Sequence, residues 1–112
     1  MKMTIDKFNE RVSKFVWQVV IPDTSDWRTK GALGAMERLG VFRITDKNYD
    51  TLKFLRIVDE DGNVDVEQLK VGINGAFEAG GETISTGGLF PMKIPKPVMD
   101  KLYKFLETET VE

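Results

Sequence analysis

RIVDEDGNVDVEQL (residues 56–69) sets three aspartates, two glutamates and an asparagine around a single glycine. Both flanks carry helical patterns, so whether this stretch is a turn or part of a continuous rod decides the fold. Upstream, residues 48–58 (NYDTLKFLRIV) place Tyr49, Leu52, Phe54, Leu55, Ile57 and Val58 around nearly the whole circumference of a helix. A helix apolar on all sides asks for burial on several of them, so this one is predicted to be the central element. Thr45 or Asn48 is suited to cap it. Downstream, Val66, Leu69, Ile73, Ala76 and Phe77 recur at three- and four-residue spacing, which predicts an amphipathic helix over 66–79. Asp65 followed by Gln68 is a variant of the capping box, and Gly80-Gly81 closes the helix. The acidic stretch is therefore a tight turn between two helices.

The same periodicity extends to the rest of the chain. Ile5, Phe8, Val12, Phe15, Val16 and Val19 form one stripe on a helix predicted over 4–19, with Trp17 lying off it. Trp17 either covers a neighbouring element or belongs to a partner surface. Pro22 is expected to stop this helix, with Asp23, Thr24 or Ser25 capping the next. That second helix (DWRTKGALGAMERLG, 26–40) groups Ala32, Leu33, Ala35, Met36 and Leu39 on one broad face and stops at Gly40. Gly31 and Gly34 each cost about 1 kcal/mol of helix propensity. Their presence argues for close approach by another helix, within the fold or across a homodimer. VFRI (41–44) reads as a short extended piece. ETISTGGLFPMKI (82–94) reads as a hairpin turning at Gly87-Gly88, with Pro91 on an edge or bulged arm. Pro95 and Pro97 open a fifth helix whose Val98, Met99, Leu102, Phe105 and Leu106 face inward, and residues 106–112 form a frayed tail. The expected fold is one domain over 1–112, α+β but mostly α, with about five helices and a small β-ribbon.

The helix, glycine-centred acidic turn and helix at 48–79, under a third of the chain, resemble an EF-hand. An EF-hand loop wants oxygen ligands at its first, third, fifth and ninth positions, glycine at the sixth and a bidentate glutamate at the twelfth. With Gly62 sixth, Asp59 falls third, Asp61 fifth, Asn63 seventh, Val64 eighth and Asp65 ninth. The resemblance implies metal candidates at Asp59, Asp61 and Asp65, but Ile57 stands first and Gln68 twelfth, which removes about three ligand oxygens from the cage. No metal is expected, and the carboxylates are predicted to accept backbone amides, with Asp65 capping the following helix. EF-hands commonly pair through a short ribbon between loops, so the resemblance also implies that Met92-Lys93-Ile94 pairs with Asn63-Val64-Asp65.

Composition narrows the function classes. The chain has no cysteine and no histidine, which excludes disulfides, thiolate zinc sites, cysteine nucleophiles and histidine relays. Its net charge is -2, without the basic field of a nucleic-acid binder. No apolar run approaches the roughly 20 residues of a membrane-spanning helix. The first residues mix charges too early for a secretory signal, so a cytoplasmic location is expected. Neighbouring carboxylates (Asp59 with Asp61, Glu107 with Glu109) fall in a turn and a tail rather than a cleft, and GGETISTGG lacks the lysine of a phosphate-cradling loop. No catalytic residue and no cofactor are expected. The leading expectation is a non-enzymatic interaction or accessory protein, of the kind bacteria and prophages encode, with Trp17, Trp27 and the small-residue face of the second helix as contact surface. Two alternatives are a helix-turn-helix DNA reader over 24–57 and a weak calcium-binding EF-hand-like protein.

Overall fold

The computed structural model describes residues 1–78 and 96–108. The architecture is α+β and mostly helical. In chain order it comprises β1 (Lys2–Thr4), α1 (Ile5–Phe15), a π-helical stretch Val16–Val20, α2 (Ile21–Asp23), α3 (Trp27–Arg38), α4 (Tyr49–Phe54), β2 (Asn63–Asp65), α5 (Val66–Glu78) and α6 (Lys96–Thr108). Backbone angles stay helical at Phe15, Val16, Val20 and Ile21, so α1, the π stretch and α2 form one rod. With that rod counted once, the described residues hold five helices. Among them, no helix is long and apolar enough to cross a membrane.

The first rod runs further than its proline suggested. A proline inside a helix removes a donor and pushes its ring against the carbonyl four residues back. Here the wider π turn immediately before Pro22 gives the ring room, and the helix continues to Asp23. Thr24 Oγ1 then donates to the Val20 carbonyl at 2.7 Å. The cap of α3 is Asp26 rather than an earlier residue: its Oδ1 accepts from the Arg28 amide at 3.1 Å and its Oδ2 from Thr29 Oγ1 at 3.0 Å.

Phe8, Val12, Phe15 and Val16 on the first rod are buried, with Ile5 and Val19 packed at the margin, as the stripe predicts. Each such side chain contributes about 1.5–3 kcal/mol by leaving water. They meet Leu102, Tyr103 and Leu106 of α6, and the Phe15 and Phe105 rings lie 5.5 Å apart in a tilted pair. Arg11 is also on this inward side and only 3% exposed, with Nη1 donating to the Leu106 carbonyl at 3.3 Å. The negative end of α6 offsets part of the charge it buries.

β1 and β2 pair antiparallel, Lys2 with Asp65, Met3 with Val64 and Thr4 with Asn63. Met3 and Val64 point into the core while their neighbours face outward. Each strand ends in the N-cap of a helix: Thr4 Oγ1 accepts from the Lys7 amide, and Asp65 Oδ1 from the Glu67 and Gln68 amides. The ribbon thus fixes where α1 and α5 begin. The partner seen for 63–65 is the stretch before α1, too short for an alternating pattern to register. The expected pairing with 92–94, and the hairpin over 82–94, lie outside the described residues.

Three further expectations are corrected. α4 is six residues long and is not central: Leu52 is buried, whereas Phe54 is 85% exposed. Arg56 takes a left-handed φ of 65°, which ends the helix and lets the Ile57 and Val58 amides turn back to the Leu52 carbonyl. Ile57 and Val58 enter the core from the turn instead. Residues 41–44 form turns rather than a strand, because Asn9 takes both backbone groups of Ile44, accepting from its amide at 2.9 Å and donating to its carbonyl at 3.1 Å. α6 extends to Thr108 with Leu106 buried, so the tail does not fray at 106.

Candidate functional site

The acidic turn is held by its own groups. Asp59 Oδ1 accepts from the amides of Asp61 and Asn63, both at 2.9 Å. Gly62, at φ +79°, makes the bend. The Lys2 ammonium lies 2.9 Å from Asp59 Oδ2. The Asn63 amide, first among these contacts, and Lys2 together hold the Asp59 carboxyl below its ordinary value, and Asp59 in turn raises Lys2. Of the candidate metal residues, Asp59 thus faces amides and a lysine, Asp65 faces the first turn of α5, and Asp61 stands exposed. Among the described residues, no three acidic side chains converge as metal ligands.

A second polar centre, unmarked by any motif, lies between α1, α3 and the loop after α3. Glu37 is 2% exposed. Its Oε1 accepts from Arg43 Nη2 at 2.7 Å and its Oε2 from Trp17 Nε1 at 3.0 Å, with the Ser13 side chain bonding as well. Burial pushes this carboxyl up, but Arg43, Ser13 and Trp17 together outweigh it and hold Glu37 below its ordinary value. Asn48 braces the same loop, accepting from the Thr45 amide at 2.9 Å and donating to the Arg43 carbonyl at 3.1 Å. An open depression of about 450 Å³ beside this centre is lined by Asp6, Asn9, Glu10, Ser13, Lys14 and Arg43. Asn9 and Arg43 are already committed to Ile44 and Glu37, and Lys14 lies 3.7 Å from Glu10, so these four of the six lining side chains are engaged within the chain.

No protein-family model, curated protein or solved structure matches the chain.

The remaining locus is α3 itself. Trp17 crosses it so closely that a Cβ at Gly34 would lie 3.1 Å from Trp17 Cη2. The close approach read from the glycines is thus real at Gly34, made by an indole ring. At Gly31 a Cβ would meet nothing within 4 Å. The ring of Trp17, 38% exposed, borders the helix with the Arg38 guanidinium 5.2 Å from its centre. The inward residues of α3 are Leu33, Gly34 and Glu37. The predicted apolar face is divided: Leu33 goes in, Met36 stays at the margin, and Ala32, Ala35 and Leu39 go out. Trp27 is 74% exposed and Leu39 81%. Trp17 thus covers the inward side of α3 and keeps an exposed edge, while Trp27 stands on the outward side. Leu39 completes that outward side, although the sequence groups it on one face with the buried Leu33.

Proposed function

We propose that this chain is a non-enzymatic protein-interaction module whose docking surface is the outward face of α3. One observation carries the reading: a tryptophan and a leucine stand 74% and 81% exposed at opposite ends of a helix whose inner side is already closed by Trp17 and Glu37. Leaving a large apolar side chain in water forgoes about 1.5–3 kcal/mol each, and aromatic residues concentrate at the cores of interfaces. The polar centres support the same reading, since their groups are engaged with one another in roles that pin loops to helices.

The test compares capture from native extract by the unaltered chain and by the Trp27→Gln/Leu39→Gln variant. The reading expects a stoichiometric protein held by the first and lost by the second, with equal thermal stability. An identical set of captured proteins from both would sink it. A gel shift with duplex DNA that weakens steeply with salt would favour the DNA-reading alternative.

A further inference from the structure

The outward face of α3 has a defined relief. Trp27, Gly31, Ala35 and Leu39 follow one another at four-residue intervals, all exposed, with exposed Ala32 beside them. Residues at that spacing form a single ridge on a helix surface. This ridge is high at both ends and low in the middle. Its end posts stand about 18 Å apart along the axis, and a helix with side chains is about 10–12 Å across, so the low middle seats one crossing helix. Small residues at such a crossing let two helix axes approach to about 8 Å.

Charge identifies the occupant. The exposed ions between 27 and 38 are Arg28 and Arg38, with Lys30 at the margin. Glu37, the acid within the same helix, is buried against Arg43 and Trp17. Asp26 is committed to the helix cap. Arg28 and Arg38 rest on the Trp27 and Trp17 rings, 5.4 and 5.2 Å from their centres, and among the described residues neither forms an ion pair. Pairing α3 with a second copy of itself sets arginine against arginine in either orientation, a repulsion that selects against self-association. We propose that the α3 saddle takes an acidic amphipathic helix of another protein, its small apolar seam between Trp27 and Leu39 and its carboxylates against Arg28 and Arg38. This rests on the interaction-module reading and adds the chemical class of the partner.

The test uses two synthetic helical peptides with the same alanine–leucine seam, one flanked by glutamates and the other by lysines. Each is titrated into the full chain by fluorescence anisotropy, with amide NMR spectra locating the contact. The glutamate peptide is expected to bind saturably, to move the α3 amides, and to weaken with salt; the lysine peptide is not. Gly31→Gln fills the saddle at a position where an added Cβ meets nothing within 4 Å, and an unchanged thermal unfolding curve checks that the fold is kept. It should weaken the glutamate peptide by about tenfold or more, the loss of one central interface contact. Arg28→Glu/Arg38→Glu should reverse the preference to the lysine peptide. Binding of neither peptide, equal binding by Gly31→Gln, or a concentration-dependent dimer dissolved by Gly31→Gln would overturn the proposal, the last naming a second copy as the occupant. If capture from extract still depends on Trp27 and Leu39 while the peptides fail, the interaction reading stands and the acidic helix falls.

Discussion

α1 and α3 follow opposite logics. On α1 the apolar residues Phe8, Val12 and Phe15 go inward and the ions Asp6, Lys7 and Glu10 go outward, with Arg11 the single inversion. On α3 a carboxylate goes inward while a tryptophan, a leucine and two alanines go outward. The inner side of α3 is held by Glu37, which receives Arg43 and Trp17, and by the ring that covers Gly34. A helix fastened by directional bonds does not need its widest apolar face for the core. That face is free for another task, whereas the stripe of α1 is consumed by folding.

The strongest test of this contrast is on α1. Phe8→Ala empties a fully buried site and should cost about 3–5 kcal/mol in denaturant unfolding. That is a large fraction of the roughly 5–15 kcal/mol typical of whole domains. A loss below 1 kcal/mol would mean that α1 is not the core rod.

Next in size is Glu37→Gln, which keeps the shape and removes the charge. Loss of charge-assisted bonds to Arg43, Ser13 and Trp17 should cost about 2 kcal/mol near neutral pH. The sign of its pH dependence follows from the lowered folded value. Stability from Glu37 is complete above its ordinary value of 4.5 and is lost as pH falls through the lower folded one. The stability gap between wild type and Glu37→Gln should therefore be flat above pH 4.5 and close on further acidification. A gap that widened with acid would remove Glu37 as the fastening of α3.

How much of this was legible in the sequence depends on the range of the interaction involved. The α1 stripe, the Asp65 cap, the Gly62 bend and the Gly40 stop were readable because each is settled by residues within four positions. At Gly40 the φ of +81° and the Val41 amide reaching the Met36 carbonyl complete that stop. The Glu37 centre was not readable, because its partners stand 20 residues before it and six after it. That network also turns α3 roughly a third of a revolution away from the orientation its apolar residues favour, at 3.6 residues per turn. The end of α4 was hidden for a different reason. Arginine carries no propensity signal for the left-handed conformation that Arg56 adopts.

That last residue offers a smaller and opposite effect. Arg56→Gly relieves a left-handed side chain at an exposed position and should stabilise the chain by about 0.5–1 kcal/mol in thermal unfolding. Destabilisation would show that the arginine side chain contributes more than its backbone conformation costs.

The smallest expected effect bears most directly on α3. Leu39→Gln replaces a leucine with a polar residue of similar length at the C-terminal cap of the helix, where 81% of the residue is exposed. Surface substitutions of this kind stay within about 0.5 kcal/mol, so the folded chain should not register the change. A glutamine in place of Val12, buried in α1, would bury an amide and destabilise strongly. If Leu39→Gln leaves unfolding unaltered, this leucine contributes nothing to the isolated fold, as the proposed docking face requires. If it instead lowers stability by 2 kcal/mol or more, the leucine is packed against this chain in solution and the outward face of α3 is not a docking surface.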